Sequence, residues 1–286
     1  MINTIFFGSS DYSLFILEKL LSLPGFKLSA VVTKEDKPAG RDQKITPNPV
    51  ALYARNHNLN LISVSEFSSE VKAEIKSLRP ELGLCVAFGP PFFDREMIDI
   101  FPHQIVNIHP SPLPRYRGAT PGPWQIINGE QESAVTFFVI DELPDHGPVV
   151  ARLPFQISPA ETSATFYNKA FSLAADNLDT ILKNYINNPA GVTPQDHNQK
   201  TYFPRFTKDN AKIDWSWPSD KIYRFINAML PWPVAWTEVT KDNSVFRMKV
   251  ISSHLQNNEL ILDTVRIEGK NETKWSEIQK YYQIKK

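Results

Sequence analysis

The chain of 286 residues has a single cysteine, Cys85, so no intrachain disulfide can form. That thiol lies inside the apolar run 82–88 with no cation beside it in sequence, which predicts a buried, reduced group rather than a nucleophile. No apolar run reaches the roughly 18 residues that cross a bilayer, and the start Met1-Ile2-Asn3-Thr4 lacks the charged head of a secretion signal; the expectation is a soluble cytoplasmic protein. Net charge is missing too, since 31 Lys and Arg balance 31 Asp and Glu. Residues 205–286 hold 14 cations against 10 acids and residues 1–204 hold 17 against 21, so any attraction to nucleic acid must come from local patches. There is no Gly-x-Gly-x-x-Gly and no Gly-Lys-Ser/Thr, which weighs against a non-catalytic nucleotide-binding module built on a phosphate loop.

The pattern that is present alternates strands and helices. Stretches 4–7 and 28–33 read as strands around a helix capped by Ser10, with Leu14, Leu17, Leu20 and Leu21 on one face, forming a βαβ unit. Helices over 48–56 and 66–78 and strands over 82–87 and 105–108 extend it into an α/β domain with a mainly parallel sheet covered on both sides. Residues 161–185 form a long amphipathic helix with Phe166, Ala170, Leu173, Ile181, Leu182 and Tyr185 as its core stripe. Asn187-Asn188-Pro189-Ala190-Gly191 breaks that helix, which predicts domains at 1–186 and 205–286 joined by a linker at 187–204. The second domain combines a helix over 219–228 with β-type runs at 234–239, 246–252, 260–264 and 265–267.

Chemistry concentrates in Asn-x-His-x-Ser-x-Leu-Pro-x-x-Arg-Gly, residues 107–118. The apolar strand 105–108 runs into three prolines, at 110, 112 and 114, so Asn107 and His109 stand at a strand end on one face. A second strand, 133–140, leads to a polar turn whose Asp141, Glu142 or Asp145 can bring a carboxylate to the histidine. An amide donor beside a carboxylate-oriented imidazole suits acyl-group chemistry, and ligands of open α/β sheets bind at strand carboxyl ends, where Gly8, Gly89 and His109 fall. The other histidines, at 57, 103, 146, 197 and 254, carry no such setting. Arg115 and Arg117 read equally as surface cations or as anchors for an anion, and Pro90-Pro91-Phe92-Phe93 as core and turn or as a platform for a flat ring.

This motif with its later aspartate resembles the formyltetrahydrofolate-dependent formyltransferases. The resemblance runs nearly end to end, through Ile5-Phe6-Phe7-Gly8-Ser9-Ser10-Asp11-Tyr12, Asp36-Lys37-Pro38-Ala39-Gly40-Arg41, Thr46-Pro47-Asn48-Pro49-Val50, Val86-Ala87-Phe88-Gly89, Ile213-Asp214-Trp215-Ser216 and Glu268-Gly269-Lys270. It implies a Rossmann-like catalytic domain, a reduced OB-like C-terminal domain, and 10-formyltetrahydrofolate as co-substrate with no metal. By the same resemblance Asn107, His109 and Asp145 are catalytic, and Phe88, Gly89, Ser111, Leu113, Pro114 and Asp141 face the folate. The loop around Pro38 to Arg41 is similar to that of the branch acting on methionyl-tRNA, with Lys37, Arg41, Lys44 and Arg117 toward the tRNA. No membrane and no obligate protein partner is implied. The alternative acceptor is an amino sugar nucleotide, whose formyltransferases share the trio but generally lack that loop; glycinamide ribonucleotide formylation fits less, because that enzyme lacks a C-terminal domain. The chain departs from the pattern at Leu143 (glycine), His146 (small and polar), Pro112 (leucine), Asn227 (arginine) and Val234 (glycine).

Overall fold

The computed structural model describes residues 1–39 and 44–285. They divide into two compact units: Met1–Arg117 with Ala134–Phe155 and Asn168–Tyr202, and Gly118–Ser133 with Gln156–Tyr167 and Phe203–Lys286. Two stretches upstream of the expected linker thus belong to the second unit, and most of residues 187–204 belongs to the first.

The first unit is built on a βαβ start. Strand β1 (Ile2–Gly8) feeds helix α1 (Asp11–Ser22), then β2 (Phe26–Lys34). Ser10 and Ser13 cap α1 reciprocally, and the buried Ser13 hydroxyl donates to Val86 O at 2.7 Å, pinning the helix start to a neighbouring strand end. Ile16, Leu17 and Leu20 form the buried stripe; Leu21, expected on that face, is exposed. Next come α2 (Pro49–Asn56), β3 (Leu61–Val64), α3 (Ser69–Ser77), β4 (Leu82–Val86), β5 (Ile105–His109), β6 (Glu132–Val139), β7 (Val149–Gln156) and α4 (Ser163–Asn187). The sheet order is β7-β6-β5-β4-β1-β2-β3. From β3 to β5 every pairing is parallel, and β6 joins β5 antiparallel. Strands such as β4, apolar and buried along their whole length, are what a sheet covered on both faces requires. One face carries a core of Ile5, Phe7, Ala30, Val32, Cys85 and Ile105, extended by Phe67, Phe88, Phe93 and Phe101 around the Phe7 ring at centroid distances of 5.0 to 6.2 Å.

The second unit holds α5 (Ser219–Ala228), buried through Ile222, Phe225 and Ile226. It also holds a five-stranded antiparallel sheet of β8 (Trp236–Lys241), β9 (Ser244–Gln256), β10 (Glu259–Ile267), β11 (Glu272–Lys274) and β12 (Gln283–Lys285), in the order β11-β10-β9-β8-β12. The runs 260–264 and 265–267 are one strand, and β11 and β12, short and polar, carried no apolar signal. Val234, standing for a glycine, is held at φ +70°, a left-handed value costly for a β-branched residue. Asn227, standing for an arginine, is buried with an Nδ2 that lacks a partner among the described residues. No helix of the described residues is long and apolar enough to cross a membrane.

Candidate active site

Strand β5 turns from core to site along one face. Ile105 is fully buried in the Phe7 core, and alternation places Asn107 and then His109 on that face toward the carboxyl end. Asn107 is flanked by Cys85 and Phe138, is half-buried, and its amide makes no hydrogen bond among the described residues. His109 is 6% exposed, and its Nε2 lies 2.9 Å from Tyr116 O. A carbonyl only accepts, so Nε2 carries the hydrogen and Nδ1 is left to face Asp145 Oδ1 at 3.6 Å. The loop behind the histidine is tied internally: Thr136 Oγ1 donates to Ser111 O and accepts from Leu113 N, and Ser111 Oγ donates to Arg115 O.

The turn carrying Asp145 folds back over the sheet. Ile140 N donates to Ile105 O, so the turn leaves beside the start of β5; His109 lies four residues on, about 13 Å at strand rise. Asp145 itself sits at φ +52°. Its charge reaches Cys85, the strand neighbour of Asn107, and adds to the burial that pushes the thiol far above its ordinary range; Lys34 acts in the opposite sense. Gly147 is compulsory, because a Cβ there would stand 1.9 Å from Val139 O. Of the three acids in the turn, Asp145 meets His109, whereas Asp141 pairs with His146 Nδ1 at 2.6 Å.

Against the turn lies a cluster in which sequence reasoning missed Gln195. Arg117, expected to face an anionic substrate, is 6% exposed, and its Nη2 donates to Gln195 Oε1 at 2.7 Å and to His197 Nδ1 at 2.9 Å. Burial lowers the guanidinium below its ordinary value, with Asp145 and Asp141 pulling the other way. Gln195 Nε2 donates to Asp145 O at 3.0 Å and Gly147 O at 2.7 Å. The rings of His146 and His197 stack at 4.0 Å and 6°. The segment bearing Gln195 is fixed by paired hydrogen bonds between Thr193 and Val149, although its sequence, polar and irregular, reads as linker.

The other expected contacts are placed as follows. Phe88, Ser111 and Leu113 are buried, Pro114 and Asp141 are half-buried, and Gly89 is exposed at φ +68° beyond β4. Phe93 belongs to the core while Phe92 is exposed. An open pocket at the ends of β1 and β2 is lined by Ser9, Lys34, Lys37, Thr46 and Asn48. Lys37 is exposed there, and Asp36 is taken by Arg55 at 2.8 Å. Arg41 and the Lys44 side chain lie outside the described residues.

Residues 3–180 match the formyl transferase family and residues 205–272 its C-terminal domain. The chain belongs to the formyl transferase family. It is 35% identical over 234 residues to the methionyl-tRNA formyltransferase of Chloroflexus aurantiacus, covering 82% of this chain and 75% of that one. Against the methionyl-tRNA formyltransferase of Alkaliphilus oremlandii it is 34% identical over 257 residues, 88% of this chain and 81% of that one. Among solved structures, the methionyl-tRNA formyltransferase from Clostridium thermocellum superposes with a TM-score of 0.62 at 16% identity, over 93% of this chain and 99% of that one. An N-formyltransferase from Helicobacter canadensis, in complex with folinic acid and dTDP-3-aminofucose, gives 0.66 at 24%, over 90% and 89%. These two structural likenesses concern the fold.

Proposed function

We propose that this chain transfers the formyl group of 10-formyltetrahydrofolate to the α-amine of methionyl-tRNA. The acceptor is supported by relatives of that name, a third identical over four fifths of the chain. The observation that carries the reaction is the uncommitted Asn107 amide on the strand face that also presents His109 to Asp145.

When bound, the donor supplies a formyl carbon whose bond to the folate nitrogen breaks as the bond to the amine nitrogen forms, the amine proton passing to the leaving nitrogen. Asn107 donates to the formyl oxygen as charge gathers there, an interaction stronger in the transition state than before it. His109 works at its other edge. With Nε2–H committed to Tyr116 O, the free lone pair is on Nδ1, which takes the amine proton directly or through water, and Asp145 stabilises the imidazolium formed. The 3.6 Å separation from Asp145 is of the loose kind that substrate binding tightens.

The residues suit a folate donor. Gly89 stands at φ +68°, a left-handed value that favours glycine and so leaves that strand end without a side chain of its own. Phe88 and Leu113 shape the wall from within, Ser111 holds the loop, and Pro114, Asp141 and backbone groups supply the contacts. Lys37, with Arg41 and Lys44, positions the tRNA through phosphates rather than bases. Donor consumption, followed spectroscopically with charged initiator tRNA, is the test. Absence of consumption with that or any other amine overturns the reading.

A further inference from the structure

We propose that Gln195, held on Arg117, is a positioning residue for the Asp145 carboxylate. This rests on the formyl-transfer reading of Asp145 and adds a residue outside the 107–118 motif. Gln195 is 5% exposed, and every partner of its amide dictates orientation. Two carbonyls, Asp145 O and Gly147 O, can only accept and therefore face Nε2; a guanidinium can only donate and therefore faces Oε1.

The need for such a clamp follows from the turn. Asp145 stands at φ +52°, where a residue with a side chain settles only under local constraint. The turn folds back over the sheet, and Gln195 grips the backbone on both sides of His146. Arg117 is in turn fixed by its own backbone, whose N–H donates to Thr201 O at 2.9 Å. The chain of contacts runs Thr201, Arg117, Gln195, Asp145, His109.

The test uses the full chain. Gln195→Met removes both donor and acceptor at similar volume. Gln195→Glu leaves Arg117 its acceptor and turns a carboxylate oxygen toward the two carbonyls, and it serves if the methionine variant fails to fold. Both should lower kcat about 10- to 100-fold, the scale of a displaced catalytic group, with KM for the donor within about twofold. In an Asp145→Asn background the further loss from either change should shrink to less than about twofold, because the residue acts through that carboxylate. Independently of activity, the 15N shifts of the His109 ring should move in the Gln195 variants in the direction seen for Asp145→Asn. An undiminished kcat, a loss that multiplies unchanged in the Asp145→Asn background, or a His109 ring that ignores Gln195 overturns the proposal. A wild-type chain without formyl transfer, but with the ring shifts as stated, would remove the reaction and leave the clamp.

Discussion

At the scale of single residues, the amide of Asn107 and the imidazole of His109 have separate work in the proposed transfer. Asn107 is the donor free to meet the formyl oxygen, so Asn107→Ala should lose on the order of 10²-fold in kcat while melting normally, measured by steady-state kinetics with a thermal scan. His197 gives a prediction of another kind. Desolvation, then His146 and Arg117, hold its imidazole below the ordinary 6.5. The unfolded chain therefore takes up this proton at higher pH than the folded one. The stability involved is complete above 6.5 and drains away as pH falls through the lowered value. His197→Asn, whose Oδ1 accepts from Arg117 without titrating, should flatten that part of the acid decline in urea melts between about pH 7.5 and about pH 5.5. The placing of Asn107 and His109 was legible in sequence because strand alternation and a proline-rich exit fix where they stand, whereas the choice of Asp145 over Asp141 and Glu142 came from the resemblance alone. Gln195 was not, because its partners are some 48 to 78 positions away and a lone glutamine in a polar stretch has no period to betray it.

Among the elements, the turn between β6 and β7 and the end of β2 decide the site. Gly147→Ala would drive a methyl group into the Val139 carbonyl, and the backbone shift that relieves it should cost on the order of 2–4 kcal/mol in chemical denaturation and displace Asp145. Asn48 caps α2 through Ala51 N, accepts from Thr33 Oγ1 and donates to Lys34 O, joining that helix to the strand end beside the expected tRNA loop. Asn48→Ala should cost about 1–2 kcal/mol by the same measurement. Regular elements were readable wherever burial imposed a period: β4, α2 and α5 all form close to where their apolar pattern places them. The route of the turn back over the sheet was not, since it follows from a left-handed Asp145 and a Cβ-free Gly147 whose tolerance depends on atoms distant in sequence.

For the whole molecule, a balanced formal charge means that tRNA must be held by particular side chains rather than by a general field. Asp36 is paired with Arg55 at 2.8 Å, so that one acid of the loop is already engaged. Replacing Lys37, Arg41 and Lys44 by glutamine should weaken tRNA binding and flatten its dependence on salt, read from a titration series in rising KCl; an unaltered slope would remove the loop from the interface. The mainly parallel character of the main sheet was legible because strands alternate with helices, whereas its strand order and the assignment of Gly118–Ser133 and Gln156–Tyr167 to the second unit leave no mark in linear order. The acceptor defines the enzyme. The full chain, given 10-formyltetrahydrofolate with charged initiator tRNA and a dTDP-linked amino sugar in the same reaction, should yield formylmethionine after deacylation and leave the sugar unmodified. Formylated sugar beside unmodified methionine would contradict it.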